Sequence, residues 1–486
     1  MSPSVRVEVV AWSLLGLLGS VAALILGPRL VGGSVKWWID PHLSISAGTQ
    51  EILFFVAMGA LSVAWLALGR RAKSGVMTPQ MLWVIGLLWS LPLFLDAPVF
   101  SRDVYSYLGQ GTILHLGHNP YNQPPTVLAS LGQRHVLNAI DSFWWHTTAP
   151  YGPLFLGIVA GIVSATGSHI VLGAQIIKLL GLVGLVLLAV FVPRLARTQG
   201  ADPVRATWLA VLNPLVLFAL VIPGHNDLLM VGLLVMGVAL ATEGHPIWGI
   251  AICALAAGIK LPALAGAAFI AVAWARSAPD LRTGLWRLAQ AAGLVVIILA
   301  VIGLATGVGA SWLTSTLFSA PGKVALGVTP SSALACTLYS AAGHVCSNQS
   351  AGFHHDQAIF RVVIGVISLA AVLEMLRRVR VQTLARWLGL ALLVLAWGGP
   401  AAWPWYFIWG IAVVVAAPGT LTYVWCAVLI LVGAFMDKPG GILAVPLQDG
   451  HDALACYVVA IIAGWLAYRR WGRPGRPPND PLLAKP

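Results

Sequence analysis

Charge is what this chain has least of. Only 9% of its 486 residues are Asp, Glu, Lys or Arg, where a soluble protein carries about a quarter. That scarcity excludes an ordinary soluble enzyme or binding domain. Cysteine is also sparse, at five residues, and no Cys/His spacing resembles a zinc site. Cys253, Cys426 and Cys456 lie in apolar spans and read as packing residues. Cys336 and Cys346 share one polar loop and can bridge if that loop faces an oxidising compartment. There is no internal repeat and no inverted pair of interrupted helices, the features that mark many secondary transporters.

Apolar residues fill the space that charge leaves. They make up 59% of the chain, and the mean hydropathy is +0.87. Apolar runs of roughly twenty residues, each long enough to cross about 30 Å of hydrocarbon, recur from end to end. The fold class is therefore all-α, a polytopic integral membrane protein with about 13–14 transmembrane helices. The spans fall near 9–30, 50–69, 78–96, 171–193, 204–222, 227–242, 246–260, 262–275, 286–307, 358–376, 384–400, 404–418, 420–436 and 452–468. The first run has no convincing basic flank or cleavage site, so it reads as a retained helix, not a signal peptide. Four regions follow: N-terminal helices over 1–97, a loop with a juxtamembrane helix over 98–151, a transmembrane core over 152–468, and a disordered tail over 469–486.

The net charge of +12 reports topology, not nucleic acid. Most of the 28 Lys and Arg residues cluster at the two termini and at four short loops. Those loops carry Arg70, Arg71 and Lys73; Arg194, Arg197 and Arg205; Arg276, Arg282 and Arg287; and Arg377, Arg378, Arg380 and Arg386. All four are cytoplasmic by the positive-inside rule if the apolar piece 152–167 lies in the interface or re-enters without crossing. The segments 246–260 and 262–275 then cross separately, hinged at Lys260 and Pro262. The loops 98–151, 223–227, 308–357 and 401–406 then share the external face of the plasma membrane, and the tail is cytoplasmic.

The residues able to carry chemistry gather in those loops. Loop 98–151 is far longer than a turn requires and too aromatic and apolar for disorder. It places Asp103 among Arg102, Tyr105, Tyr107 and Gln110, followed by Asn119 and Tyr121. Asp103 suits two compatible roles, a helix N-cap and a general base for a sugar hydroxyl. The turn Pro223-Gly-His-Asn-Asp227 sets His225, Asn226 and Asp227 at one membrane boundary. Capping accounts for one of the three, and the others can orient a substrate. Two acids and a histidine do not define a metal site, so no metal and no cofactor are assigned, although a divalent ion between Asp103 and Asp227 is open. Lys260 interrupts an apolar stretch, and either snorkels to the interface or supplies a point charge for a lipid phosphate. Lys323, Arg361 and Arg102 are weaker candidates for the phosphate, and Lys178 reads as a cap or a snorkelling residue. Trp403, Trp405 and Tyr406 belong either to an interfacial aromatic belt or to a sugar-stacking surface.

Several of these stretches carry a resemblance. Asp103-Val-Tyr-Ser-Tyr-Leu-Gly-Gln110, Gly117-His-Asn-Pro-Tyr121, Tyr151-Gly-Pro-Leu154, Asn213-Pro-Leu215, His225-Asn-Asp227 and Pro404-Trp-Tyr406 follow one another along most of the chain. Together they resemble the actinobacterial polyprenol-phosphate-mannose-dependent α-(1→6)-mannosyltransferases of lipomannan and lipoarabinomannan biosynthesis. More widely the chain resembles the GT-C superfamily of membrane glycosyltransferases. The resemblance implies that Asp103 is the essential acid of the first external loop and that Asp227 belongs to a second acidic motif. It also implies a donor-phosphate role for Lys260, although this chain has Lys260-Leu-Pro262 where some relatives have Lys-Gly-Pro. No large soluble domain is read after the helices, so the acceptor site is expected in the loops. The implied reaction is inverting transfer of mannose from a polyprenyl-phosphate mannose donor to a mannan or lipomannan acceptor. Arg102, Tyr105, Tyr107, Gln110, Asn119, Tyr121, His225, Asn226, Asp227, Lys260, Trp405 and Tyr406 are expected to bind substrate around Asp103. The nearest alternative is another polyprenyl-phosphate-sugar transferase, such as an arabinosyltransferase, and a more distant one is a lipid or solute transporter.

Overall fold

The computed structural model describes residues 2–316 and 329–436, apart from 32, 34, 42, 168 and 347–349, with isolated positions beyond. The expected span 452–468 lies almost wholly outside the described residues, as do segment 437–451, the tail, Cys456 and Lys323. The described elements are all helical. In chain order they begin with α1 (Pro3–Leu26), α2 (Ala47–Lys73), α3 (Pro79–Leu95), α4 (Asp103–His115), α5 (Val127–Ser130), α6 (Arg134–Ala139) and α7 (Pro153–Thr166). There follow α8 (Ile170–Thr198), α9 (Pro203–Ala210), α10 (Pro214–Val216), α11 (Asp227–Thr242), α12 (Pro246–Ala257), α13 (Leu264–Arg276) and α14 (Leu281–Ala305). The last are α15 (Ser311–Thr314), α16 (Pro330–Ala341), α17 (Ala351–Arg378), α18 (Leu384–Gly398), α19 (Phe407–Val414) and α20 (Thr420–Ala434). Among the described residues seven helices are long and apolar enough to cross a membrane, and seven shorter apolar ones accompany them. The protein is multi-pass.

Helix starts follow from local chemistry. Proline sits in the first turn of α1, α3, α7, α9, α12 and α16, where its fixed φ suits the helix and its missing N–H costs nothing. Ser46 and Asp280 cap α2 and α14 by accepting the N–H groups of Thr49 and Thr283 at 3.1 and 2.9 Å. At the centre, α11 passes between α8 and α12 at backbone contact. A Cβ on Gly232 would lie 2.6 Å from the Gly184 carbonyl oxygen, and one on Gly237 2.7 Å from that of Gly249. Close packing of small residues is what holds helices together where lipid removes the hydrophobic drive. Gly232→Leu is therefore expected to lose most folded yield and to lower the unfolding temperature in detergent. An unchanged melting curve would show the contact to be dispensable. The outer layer is formed by α14 and α17, whose Val296, Ile297, Val362 and Val366 are exposed as lipid-facing residues should be.

The helix ends sort into two poles. At one, arginines meet helix termini: Arg194 pairs with Glu243 at 2.5 Å, and Arg276 donates to the carbonyls of Leu376 and Val379 at 3.1 and 2.7 Å. At the other lie the end of α3, the start of α11 and the Lys260 hinge. There the carbonyls of Leu93 to Asp96, at the end of α3, accept hydrogen bonds from side chains. Lys178 donates to Leu93 and Asp96 at 3.4 and 2.5 Å, Gln175 to Phe94 at 2.9 Å, and Trp37 to Leu95 at 2.7 Å. Of the two roles open to Lys178 from sequence, cap or snorkelling residue, it has the first.

Both ends of α7 lie at this second pole. Gly152, just before it, donates to the Ile259 carbonyl at 2.8 Å, while Thr166 packs beside Gly173 in the first turn of α8. The helix has 14 residues, fewer than any of the seven long apolar helices. The start of α17 belongs to the same pole, and Cys336 and Cys346 are joined there by a disulfide.

Candidate active site

The second pole is built around the first residue of α4. Ser101 Oγ accepts the Asp103 N–H at 3.2 Å, and the N-cap position is Arg102. The Asp103 carboxylate turns inward: its Oδ2 lies 3.6 Å from His225 Nδ1. One helical turn on, Tyr107 Oη lies 3.3 Å from the same nitrogen. His225 is buried and stacks on Trp405 at 4.1 Å, which in turn stacks on Trp403 at 5.2 Å. Burial pushes the Asp103 carboxyl up to about 6, against the pull of the nearby Lys260 ammonium.

A second cluster adjoins the first. Asp227, fully buried, accepts from Lys260 Nζ at 2.9 Å on each oxygen and from Trp409 Nε1 at 2.6 Å. The ammonium also sits 4.4 Å from the centre of the Tyr406 ring, which stacks on Trp409 at 4.1 Å. Asp103 and Lys260 both line a cavity of about 450 Å³ whose other walls include Trp144, Tyr151, Trp403, Tyr406 and Trp409. A carboxylate, a cation and aromatic faces thus converge on one cavity of substrate size. Among the described residues no three His, Cys, Asp or Glu side chains converge on a metal position.

Local sequence explains how the cavity is held open. Gly224, at φ +72°, turns the chain over the aliphatic stem of Lys178, and a Cβ there would lie 2.6 Å from Lys178 Cγ. The preceding residues Leu217–Val221 are π-helical, an irregularity common at functional sites. Gly152 of the Tyr-Gly-Pro motif touches the Gly258 carbonyl so closely that no side chain fits. The loop tethers itself as well. Asn119 Oδ1 accepts the Tyr121 N–H at 3.0 Å, Asn119 Nδ2 reaches Ser311 Oγ at 2.9 Å, and Tyr121 Oη donates to the Tyr151 carbonyl at 2.8 Å.

Comparison with known proteins fits this arrangement. A family described as "Alpha-(1->6)-mannopyranosyltransferase, N-terminal domain" matches residues 9–276. The chain belongs to the α-(1→6)-mannopyranosyltransferase family. It is 34% identical to alpha-(1->6)-mannopyranosyltransferase A of Mycobacterium tuberculosis over 83% of this chain and 79% of that protein. A probable alpha-(1->6)-mannopyranosyltransferase of Mycolicibacterium smegmatis is 30% identical over 99% and 94% of the two chains. Alpha-(1->6)-mannopyranosyltransferase B of Corynebacterium glutamicum is 25% identical over 95% and 82%. Membership makes this protein a membrane glycosyltransferase.

Within this family member the expected site residues divide by position. Asp103, Lys260 and Tyr406 line the cavity. His225, Asp227 and Tyr107 stand directly behind them. Trp405 is buried between His225 and Trp403, outside the cavity wall. Gln110 and Asn226 are buried with side-chain amide atoms lacking hydrogen-bond partners, and Tyr105 is buried in α4. Arg102 faces away: its guanidinium donates to the Ala139 and Ile140 carbonyls at 2.7 and 3.2 Å and holds the end of α6. Asn119 and Tyr121 serve the loop tethers. Arg361, the weaker phosphate candidate, reaches the Pro400 carbonyl on the cavity rim at 3.3 Å. Sequence reasoning did not select Trp144, Tyr151 and Trp409 as wall residues, and it raised Trp403 only as one of three aromatics that could stack on sugar. Trp409 had one usable signal, its position one helical turn after Trp405 and Tyr406.

Proposed function

We propose that this glycosyltransferase moves a mannosyl group from a polyprenyl-phosphate donor to a hydroxyl of a mannan or lipomannan acceptor, with inversion, at the external face of the plasma membrane. The observation that carries the reading is the pairing of Asp103 and Lys260 on one aromatic cavity. A carboxylate suits the attacking hydroxyl, and a cation suits the departing phosphate. In the transfer, the acceptor oxygen forms a bond to the anomeric carbon and its proton passes to Asp103. The bond from that carbon to the phosphate oxygen breaks, and its electron pair leaves on polyprenyl phosphate beside Lys260. The aromatic walls suit the apolar faces of sugar rings.

Two features support the external face. The basic helix ends gather at the opposite pole, as they do on the cytoplasmic side of membrane proteins. The Cys336–Cys346 disulfide lies at the cavity pole, and such bonds persist in oxidising compartments.

The test is to incubate purified protein with synthetic polyprenyl-phosphate mannose and a short α-mannoside, with and without chelator, and to identify the linkage by NMR. An α-(1→6) product supports the reading, and no product, or transfer only when polyprenyl-phosphate arabinose replaces the mannose donor, overturns it. The pH profile is a second check. Asp103 must be ionised to accept a proton, so kcat/KM should rise from pH 5, pass half its plateau near 6, the value to which burial raises its carboxyl, and level off above about 7. An acid limb centred near the ordinary aspartate value of about 4 would remove Asp103 from the proton-accepting role.

A further inference from the structure

Asp227 is the buried acid of the site that never reaches the cavity. Lys260 and Trp409 line that space while Asp227 does not, and its carboxylate is occupied by both of them. It is fully buried, so substrate has no route to it. An orienting contact with sugar or hydroxyl, one of the roles open to this residue from sequence, has no geometry here.

Its effect is on Lys260. Both Asp227 carboxylate oxygens lie 2.9 Å from the ammonium nitrogen, and the Tyr406 ring lies 4.4 Å from it. The carboxylate thus takes a share of the ammonium's donors, and the pair is together neutral. This matters because the charge on the phosphate changes during transfer. A polyprenyl-phosphate sugar is a phosphodiester with a single negative charge, whereas the released polyprenyl phosphate is a monoester that takes on a second. An unpartnered lysine in a dry site would hold that product far more tightly than the donor and would slow its release.

We propose that Asp227 is a positioning counter-ion that keeps Lys260 from over-binding the phosphate product, with Trp409 Nε1–H fixing the carboxylate in place. This rests on the phosphate-binding reading of Lys260 given above. It separates two roles that share one motif: Lys260 meets the phosphate, and Asp227 sets how strongly.

The experiment measures binding of farnesyl phosphate, with farnesol as the uncharged control, to the full-length protein in detergent by calorimetry. The proteins compared are wild type, Asp227→Asn, Lys260→Met and the double variant. Asp227→Asn should tighten farnesyl phosphate binding about tenfold or more, leave farnesol binding unchanged, and lower kcat by slowing product release. Lys260→Met should weaken phosphate binding, and the double variant should match Lys260→Met. A folded Asp227→Asn protein that binds farnesyl phosphate no more tightly than wild type overturns the proposal. If Asp227→Asn does not fold, Trp409→Phe decides. Removing the indole N–H concentrates the Asp227 charge on Lys260, so phosphate binding should weaken a few-fold, and unchanged or tighter binding overturns the proposal. Failure of the parent reading has its own signature: wild type that prefers farnesyl phosphate to farnesol not at all and transfers no mannose.

Discussion

Asp103→Asn is expected to reduce mannosyl transfer by on the order of 10³-fold, within the range that a positioned general base contributes. Asparagine keeps the shape and one acceptor oxygen but cannot take the proton of the attacking hydroxyl. The carboxylate is held in a buried setting 3.6 Å from His225, and burial already opposes its charge. Removing that charge relieves a desolvation cost, so the unfolding temperature should hold or rise. The residual transfer should also lose its rise through pH 6, because the titrating group is gone. Steady-state kinetics on purified enzyme, paired with a thermal melt, check all three statements. Near-normal turnover in a folded Asp103→Asn protein would return Asp103 to the role of a helix-start residue.

The second large effect concerns Lys260. Lys260→Met should raise the donor KM and cut kcat/KM about 10²-fold or more, as loss of a group stabilising transition-state charge does. The variant also leaves Asp227 buried without its partner, which costs about 3–5 kcal/mol for a pair of this kind. A simple loss of activity would therefore be ambiguous. The double variant Lys260→Met/Asp227→Asn resolves it. With both charges gone the fold should recover, because two neutral side chains replace the pair, while transfer should remain low. Recovery of transfer together with stability would make Lys260 a structural lysine only. Acceptor KM is the internal control, and an equal rise in donor and acceptor KM would argue against a phosphate contact.

Much of the site was legible before its geometry. Asp103, His225, Asp227 and Lys260 stand out in sequence because a polar residue among apolar runs is costly unless it is used. The opposite case is Arg102, which looks like a phosphate ligand beside Asp103 but spends its guanidinium on the carbonyls that end α6. Nothing in its neighbours shows this, because Asn138 to Ile140 come within reach only through the folded loop. Trp405 and Trp403 are similar. Both sit in one short aromatic turn, yet Trp403 faces the cavity and Trp405 is buried against His225. Which face each ring presents depends on the turn that delivers them.

The sequence by itself determined the class of the protein, the order of its helices and the pole at which polar residues gather. Those follow from hydrophobic length and charge placement, which are local and additive along a chain. Only the tertiary structure decided that the start of α7 meets the Lys260 hinge, that Lys178 closes the end of α3, and that Asp227 answers to Lys260. Each depends on residues far apart in the chain meeting at hydrogen-bond distance: Lys178 with Asp96, Gly152 with Ile259, and Lys260 with Asp227. In a low-dielectric interior a charge is defined by its partner, and the partner is chosen by packing.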